Sequence, residues 1–133
     1  MSQIFSADAQ QVADGKPLVG TTETVDVSTN PLQPPFNTSK AKVIALVVVV
    51  PGADQTSVAA NIYRNYSGER LLVGGTDVSV PAAGLSFPIA IGIIDQIPDQ
   101  RAVSYTLTLQ QQGGTDDGST FGPDYIEATL ISG

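Results

Sequence analysis

The clearest pattern in the chain is a run of apolar residues, 43–50, in which both faces of an extended strand are apolar. Successive side chains of a strand point to opposite faces. One face of this run carries Ile44, Leu46, Val48 and Val50, and the other carries Val43, Ala45, Val47 and Val49. A small domain covers one face with its own core, so the other face requires a second subunit or a larger assembly. We therefore predict a subunit interface and place it on Val43, Ala45, Val47 and Val49.

Most other segments alternate apolar and polar residues with a period of two, which is typical of half-buried antiparallel strands. The clearest example is 103–110, where one face carries Val103, Tyr105, Leu107 and Leu109. The same period runs through 58–62, 85–93 and 126–130, and Pro88 predicts an edge strand or a bulge. Gly and Pro pairs between the segments predict turns. They are Pro51-Gly52, Ser67-Gly68, Gly74-Gly75, Ala83-Gly84 and Gly113-Gly114.

The N-terminal segment, residues 1–39, is less regular. Residues 22–27 indicate a strand with Val25 and Val27 inward, and residues 30–35 form a Pro-rich, extended connector. Residues 6–12 fit either a strand or a short helix. Eight or nine short strands with turns at this spacing predict an all-β fold, an antiparallel β-sandwich of jelly-roll type with little or no helix. We expect residues 1–133 to form one such domain.

Composition narrows the function classes. The 133 residues contain no Cys, His or Trp, and six basic residues stand against thirteen acidic ones. That balance argues against nucleic acid and against anionic membranes, which both require clustered Lys and Arg. Nucleophilic pairs with histidine are impossible, so we predict no enzyme and no cofactor. Residues 1–8 lack a basic or apolar stretch, and we expect no secretory signal.

Three acidic residues are weak candidates for a calcium site: Asp116, Asp117 and Asp124. Clustered carboxylates suit calcium, but their spacing does not match the EF-hand loop. The alternative is a solvated hairpin tip, and we predict no metal site. For Asp95 we expect a solvated turn after its strand, and for Arg64 either a pair across a subunit contact or an exposed strand end. Tyrosines 63, 66 and 125 suit a sugar-binding platform or, as we favour, packing at the core or rim.

Three segments, in this order, resemble a known family. The first is the valine-rich strand followed by residues 61–68 (Asn-Ile-Tyr-Arg-Asn-Tyr-Ser-Gly), and the second is 93–98 (Ile-Ile-Asp-Gln-Ile-Pro). The third joins 105–109 (Tyr-Thr-Leu-Thr-Leu) through a Gly-rich stretch to 126–130 (Ile-Glu-Ala-Thr-Leu). Together they resemble jelly-roll proteins of bacteriophage virions, of the head-decoration (cement) or fibre type, which are similar to the tumour-necrosis-factor and C1q-like sandwich. The resemblance implies trimers in which one strand-rich face of each protomer packs about the threefold axis.

These observations lead us to expect a structural virion protein that is assembled in the host cytoplasm. The favoured role is a homotrimeric capsid decoration protein that binds the major capsid protein and stabilises the head lattice. We expect the N-terminal segment with its connector to contact the lattice. Two alternatives stay open. One is a tail or fibre component that contacts a host receptor, and the other is a surface module that binds carbohydrate or protein.

Overall fold

Alternating apolar and polar residues produce strands throughout the computed structural model, which describes residues 7–34, 38–82, 85–98 and 101–132. Ten strands lie in those four stretches. They are β1 (Ala7–Ala13), β2 (Pro17–Leu18), β3 (Thr24–Ser28), β4 (Thr38–Val50), β5 (Ser57–Tyr66), β6 (Glu69–Ser79), β7 (Phe87–Gln96), β8 (Val103–Gln112), β9 (Gly118–Thr120) and β10 (Asp124–Ser132). The all-β prediction is confirmed, with ten strands in place of eight or nine.

The strands form two antiparallel sheets. The first sheet has the order β1-β10-β4-β9-β2, and β7 also pairs with β4. Since the same part of β4 pairs with both β10 and β7, these two strands flank β4 on opposite sides. The second sheet has the order β3-β8-β5-β6. In the described residues β7 pairs only with β4, so Pro88 lies on an edge strand, as predicted.

The core lies between the two sheets, where apolar side chains from both inner faces meet. Its fully covered members include Val58, Ala60 and Ile62 of β5, Tyr105, Leu107 and Leu109 of β8, and Ile126, Ala128 and Leu130 of β10. The inner face of β4 supplies Val43, Ala45, Val47 and Val49 to the same core. The predicted subunit interface on Val43, Ala45, Val47 and Val49 is therefore wrong, because the chain's own second sheet covers these four residues.

Turns and strand ends follow the predictions in part. The two-residue turn Ser67-Gly68 has positive φ at both positions, 50° and 79°, as tight hairpins require. Gly74-Gly75, predicted as a turn, instead lies inside β6, where the pairing with β5 shifts between Ile62 and Tyr63. A side chain at Gly74 would clash with Ile93 of β7, so the strand approaches the other sheet closely here. Ala83-Gly84 lies outside the described residues.

The N-terminal segment is built into both sheets. The open choice at residues 6–12 is settled as a strand, since β1 pairs with β10 over its whole length, although residue 6 lies outside the described part. In β3, Val27 is buried but Val25 is 52% exposed, so the prediction for Val25 is wrong. The pairing of β3 with β8 shifts between Val25 and Val27, and this bulge turns Asp26 inward in place of Val25.

The connector at residues 30–35 belongs to the sandwich as far as it is described. Leu32 exchanges two backbone hydrogen bonds with Val103, of 2.7 and 2.9 Å, and Pro34 is buried. Residue 35 lies outside the described stretches. The same stretches contain no helix of the length and apolar character that a membrane crossing requires.

Candidate functional site

The outward side of β4 and β7 is an apolar surface, which we name the outer apolar face. Its members are Ile44, Leu46 and Val48 of β4, Pro88, Ala90 and Ile94 of β7, and Pro123 before β10. Leu46 stands between Tyr125 of β10 and Ala90 of β7 in the sheet register. Leu46 is 45% exposed and Ile94 is 56% exposed. Large apolar side chains thus lie uncovered on the central strand β4 and on its neighbour β7.

The shape of the outer apolar face suits close packing. A groove of about 260 Å³ runs over Leu46, Val48, Ala90 and Pro123. Opposite Ile44 on β7 stands Gly92, so this part of the sheet has little side-chain height. Among the described residues of β4, β7 and β10, the charged side chains on this side lie toward one end. Lys42 pairs with Ile94, Glu127 pairs with Ile44, and Lys40 lies further along β4. Such a face favours contact with a second apolar protein surface.

Arg64 and Asp95 form a buried ion pair between the sheets. The Arg64 Nη1 atom lies 2.9 and 3.0 Å from the two carboxylate oxygens of Asp95, and it also donates to the Gln96 carbonyl at 2.8 Å. Tyr105 donates its hydroxyl to Asp95 Oδ2 at 2.7 Å. Burial, together with the Asp95 carboxylate, raises the pKa of Tyr105. The predictions of a solvated Asp95 and of an exposed or intersubunit Arg64 are wrong, because both side chains are buried between the two sheets.

The burial of Arg64 and Asp95, though not their pairing, could have been predicted from the alternation. Asp95 lies on the same face of β7 as the buried Ile89 and Ile91, and Arg64 lies on the same face of β5 as Ala60 and Ile62. Their charges favour the surface, whereas their positions in the alternating pattern favour the core. Each charge is buried because the other, of opposite sign, pairs with it.

A second buried pair joins Asp26 of β3 to Asp124 of β10, and sequence reasoning missed it. Both residues are 0% exposed. Asp124 Oδ2 accepts a 2.6 Å hydrogen bond from the Thr120 hydroxyl, whose oxygen accepts the Lys16 backbone amide at 2.8 Å. Burial, followed by the adjacent Asp124, raises the pKa of Asp26 to about 8, while the positive charge of Lys16 lowers it. Asp26 is therefore protonated at neutral pH.

The three weak calcium candidates do not come together. Asp116 and Asp117 are exposed in the loop before β9, whereas Asp124 is buried beside Asp26. Asp117 Oδ1 accepts the Gly20 amide at 2.9 Å. No group of three or more His, Cys, Asp or Glu residues suited to a metal ion occurs within residues 7–34, 38–82, 85–98 and 101–132.

The loop before β9 is ordered by hydrogen bonds between its backbone and the side chains of Asp54, Gln55 and Gln111. The Asp54 carboxylate accepts the Thr115 amide at 2.9 Å and the Asp116 amide at 2.8 Å. These backbone hydrogen bonds lower the pKa of Asp54. Gln55 and Gln111 both donate to the Asp116 carbonyl, at 2.8 and 3.2 Å. The loop is a structured end of the sandwich.

The tyrosines proposed for a sugar platform lie apart. Tyr63 and Tyr66 belong to β5 in the second sheet, and Tyr125 belongs to β10 in the first. The guanidinium of Arg70 lies 3.8 Å from the centre of the Tyr63 ring, and that of Arg101 lies 4.3 Å from the centre of the Tyr66 ring. Arginines thus occupy ring faces that a sugar would need.

Comparisons with known proteins establish the fold. No protein-family model matches the sequence. No curated protein matches it either. Among solved structures, the chain is similar to the Eiger TNF from S. frugiperda, with a TM-score of 0.62 over 98% of this chain and 94% of that one. The two sequences are 10% identical, so the likeness concerns the fold alone. The chain has a TNF-like jelly-roll fold.

Proposed function

We propose that the protein is a structural virion component, a homotrimeric capsid decoration protein that binds and stabilises a phage head lattice. The observation that carries this proposal is the outer apolar face, an uncovered surface over the strands β4 and β7 of a jelly-roll sheet. Monomeric soluble proteins rarely leave such a surface exposed, because it promotes association. The three sequence segments that resemble phage virion jelly rolls supply the biological setting.

The outer apolar face is the surface we assign to self-association, in place of Val43, Ala45, Val47 and Val49. Leu46 and Ile94 provide the largest exposed apolar side chains, and Ala90 beside Leu46 lets a neighbouring backbone approach. Lys42 and Glu127 lie at one end of the face. Opposite charges at the edge of an apolar contact fix the orientation of the partner more than they add affinity.

Both buried acidic clusters are closed to a substrate, which supports a structural role over a catalytic one. Asp26, Asp124 and Tyr105 are 0% exposed, and Asp95 is 5% exposed. Each cluster joins one sheet to the other. A decoration protein needs only that rigidity, because it stabilises a shell by binding the assembled lattice and not its separated subunits.

The experiment that tests the proposal is imaging of intact particles with a label specific for this chain. A decoration protein is expected to give label spread over the head at symmetry-related positions. Label confined to the tail tip would replace the proposal with the fibre alternative. Purified particles that carry no label would contradict any virion role and favour a surface module that binds carbohydrate or protein.

A further inference from the structure

The Asp26–Asp124 pair is placed by an irregularity that a plain strand would not have. The bulge in β3 makes two successive side chains, Asp26 and Val27, point into the core. Bulges are features that re-aim a side chain, and here the re-aimed side chain is a carboxyl group. Neither Asp26 oxygen has a hydrogen-bond partner in the structure, and Asp124 Oδ1 is a buried oxygen without one as well. A buried carboxylate without a partner would cost free energy, so the buried position favours the protonated, neutral form of Asp26.

The surroundings of the pair contain few other charges. Lys16, in the turn between β1 and β2, is the cation that acts on Asp26, and Asp14 in the same turn is exposed. Strand β8, which pairs with β3, presents Leu107 and Thr108 beside the bulge. The Glu23 carboxylate, just before β3, points away to the Tyr63 and Thr108 hydroxyl groups. Apart from Lys16, the charged group that acts on Asp26 is therefore the Asp124 carboxyl group.

We propose that Asp26 and Asp124 form a proton-sharing latch that ties β3 of one sheet to β10 of the other and weakens as the pH rises. With one proton present, the Asp26 hydroxyl donates to Asp124 Oδ1. The other oxygen of Asp124, Oδ2, already accepts a hydrogen bond from Thr120. When that proton leaves, two negative charges face each other in a buried site. This inference is independent of the proposed function.

The direction of the pH effect follows from linkage. The pKa of Asp26 is raised in the folded protein from 3.8 to about 8. A raised pKa gives a contribution to stability that is complete below the unfolded value and is lost as the pH rises through the folded value. Across the window between those two values, the unfolding equilibrium constant rises by up to about tenfold per pH unit on account of this one proton.

The test compares urea unfolding of the unmodified protein and of Asp26→Asn at several pH values from about 5 to 9. Asparagine donates to Asp124 without a titrating proton. We expect the ratio of the two unfolding constants, unmodified over variant, to rise by about tenfold per pH unit and to level off above about pH 8. Asp77→Asn, at an exposed carboxylate on β6, is the matched control and should give a flat ratio.

A flat ratio for Asp26→Asn would overturn the proposal. If that variant does not fold, carbon-13 carboxyl titration of the unmodified protein decides. One aspartate is expected to titrate near pH 8, whereas titration of every aspartate below about pH 5 would refute the latch. A third outcome also overturns it. Millimolar calcium or magnesium at high pH that stabilises the unmodified protein but not the variant would show that a cation, not a proton, holds the pair.

Discussion

The two faces of β4 have the same apolar character and opposite surroundings. Inward, Val43 and Val49 are 0% exposed because they belong to the core between the two sheets. Outward, Leu46 is 45% exposed and nothing in the described chain lies over it. The domain covers the inner face with its own second sheet, and it leaves the outer face exposed. The fold is therefore explained from within the chain, and the association that we propose would use the part that the chain leaves uncovered.

The largest expected effect comes from placing a charge on the covered face. Val47→Lys would put an unpaired ammonium group into the core, since Val47 is 4% exposed. We expect destabilisation of at least about 4 kcal/mol, which is a large part of the roughly 5–15 kcal/mol by which folded domains are stable. Circular dichroism with thermal melting measures it. A Val47→Lys protein that melts at the same temperature as the unmodified protein would show that this face is not the core.

A buried ion pair should differ from an exposed one by nearly as much. Arg64→Met leaves Asp95 with a buried charge and without its guanidinium, which costs about 3–5 kcal/mol. Arg70→Met is the matched control, since the Arg70–Glu23 pair is partly exposed and such pairs contribute about 0–1 kcal/mol. Denaturant unfolding of both variants tests the difference, and equal losses would contradict the role assigned to Arg64.

A hydrogen bond to a carboxylate should also matter more between the two sheets than on the outward side of the second sheet. Tyr105→Phe removes the 2.7 Å donor to Asp95, at an expected cost of about 1–2 kcal/mol. Tyr63→Phe removes a 3.2 Å donor to Glu23, which lies away from the outer apolar face, where water is able to replace it. The same unfolding measurement should give a smaller loss for Tyr63→Phe. The reverse order would contradict the importance assigned to the buried Tyr105–Asp95 hydrogen bond.

The smallest of these effects lies at the loop end, away from both faces of β4. The pKa of Asp54 is lowered from 3.8 by the Thr115 and Asp116 amides, so its contribution exists above that value and is lost as the pH falls. We expect Asp54→Ala to lower the melting temperature at pH 7 and to match the unmodified protein in strong acid. Asp77→Ala, at an exposed carboxylate, is the control. A constant difference at all pH values would mean that lost packing, not charge, explains the change.

How far the sequence predicts this molecule depends on whether a strand has one apolar face or two. In β5 and β10 a single apolar face fixed the inward side chains correctly. In β4 both faces were apolar, and alternation could not say which one the second sheet covers. In β3 the alternating pattern does not predict the bulge at Asp26, so the buried pair of carboxyl groups could not be predicted. Asp95 falls on the core face of its strand, but its partner Arg64 lies 31 positions earlier, and only the folded structure shows that the two side chains meet.

The central claim, that the outer apolar face joins copies of this chain, is tested most directly by sedimentation of the unmodified protein, Leu46→Lys and Leu71→Lys. Leu71 is the matched control, since it is 53% exposed on β6 of the other sheet. We predict trimers for the unmodified protein and for Leu71→Lys, and folded monomers for Leu46→Lys, because a charge at the centre of an apolar contact opposes association. A monomeric unmodified protein at micromolar concentration, or a Leu46→Lys variant that remains a trimer, would contradict the account.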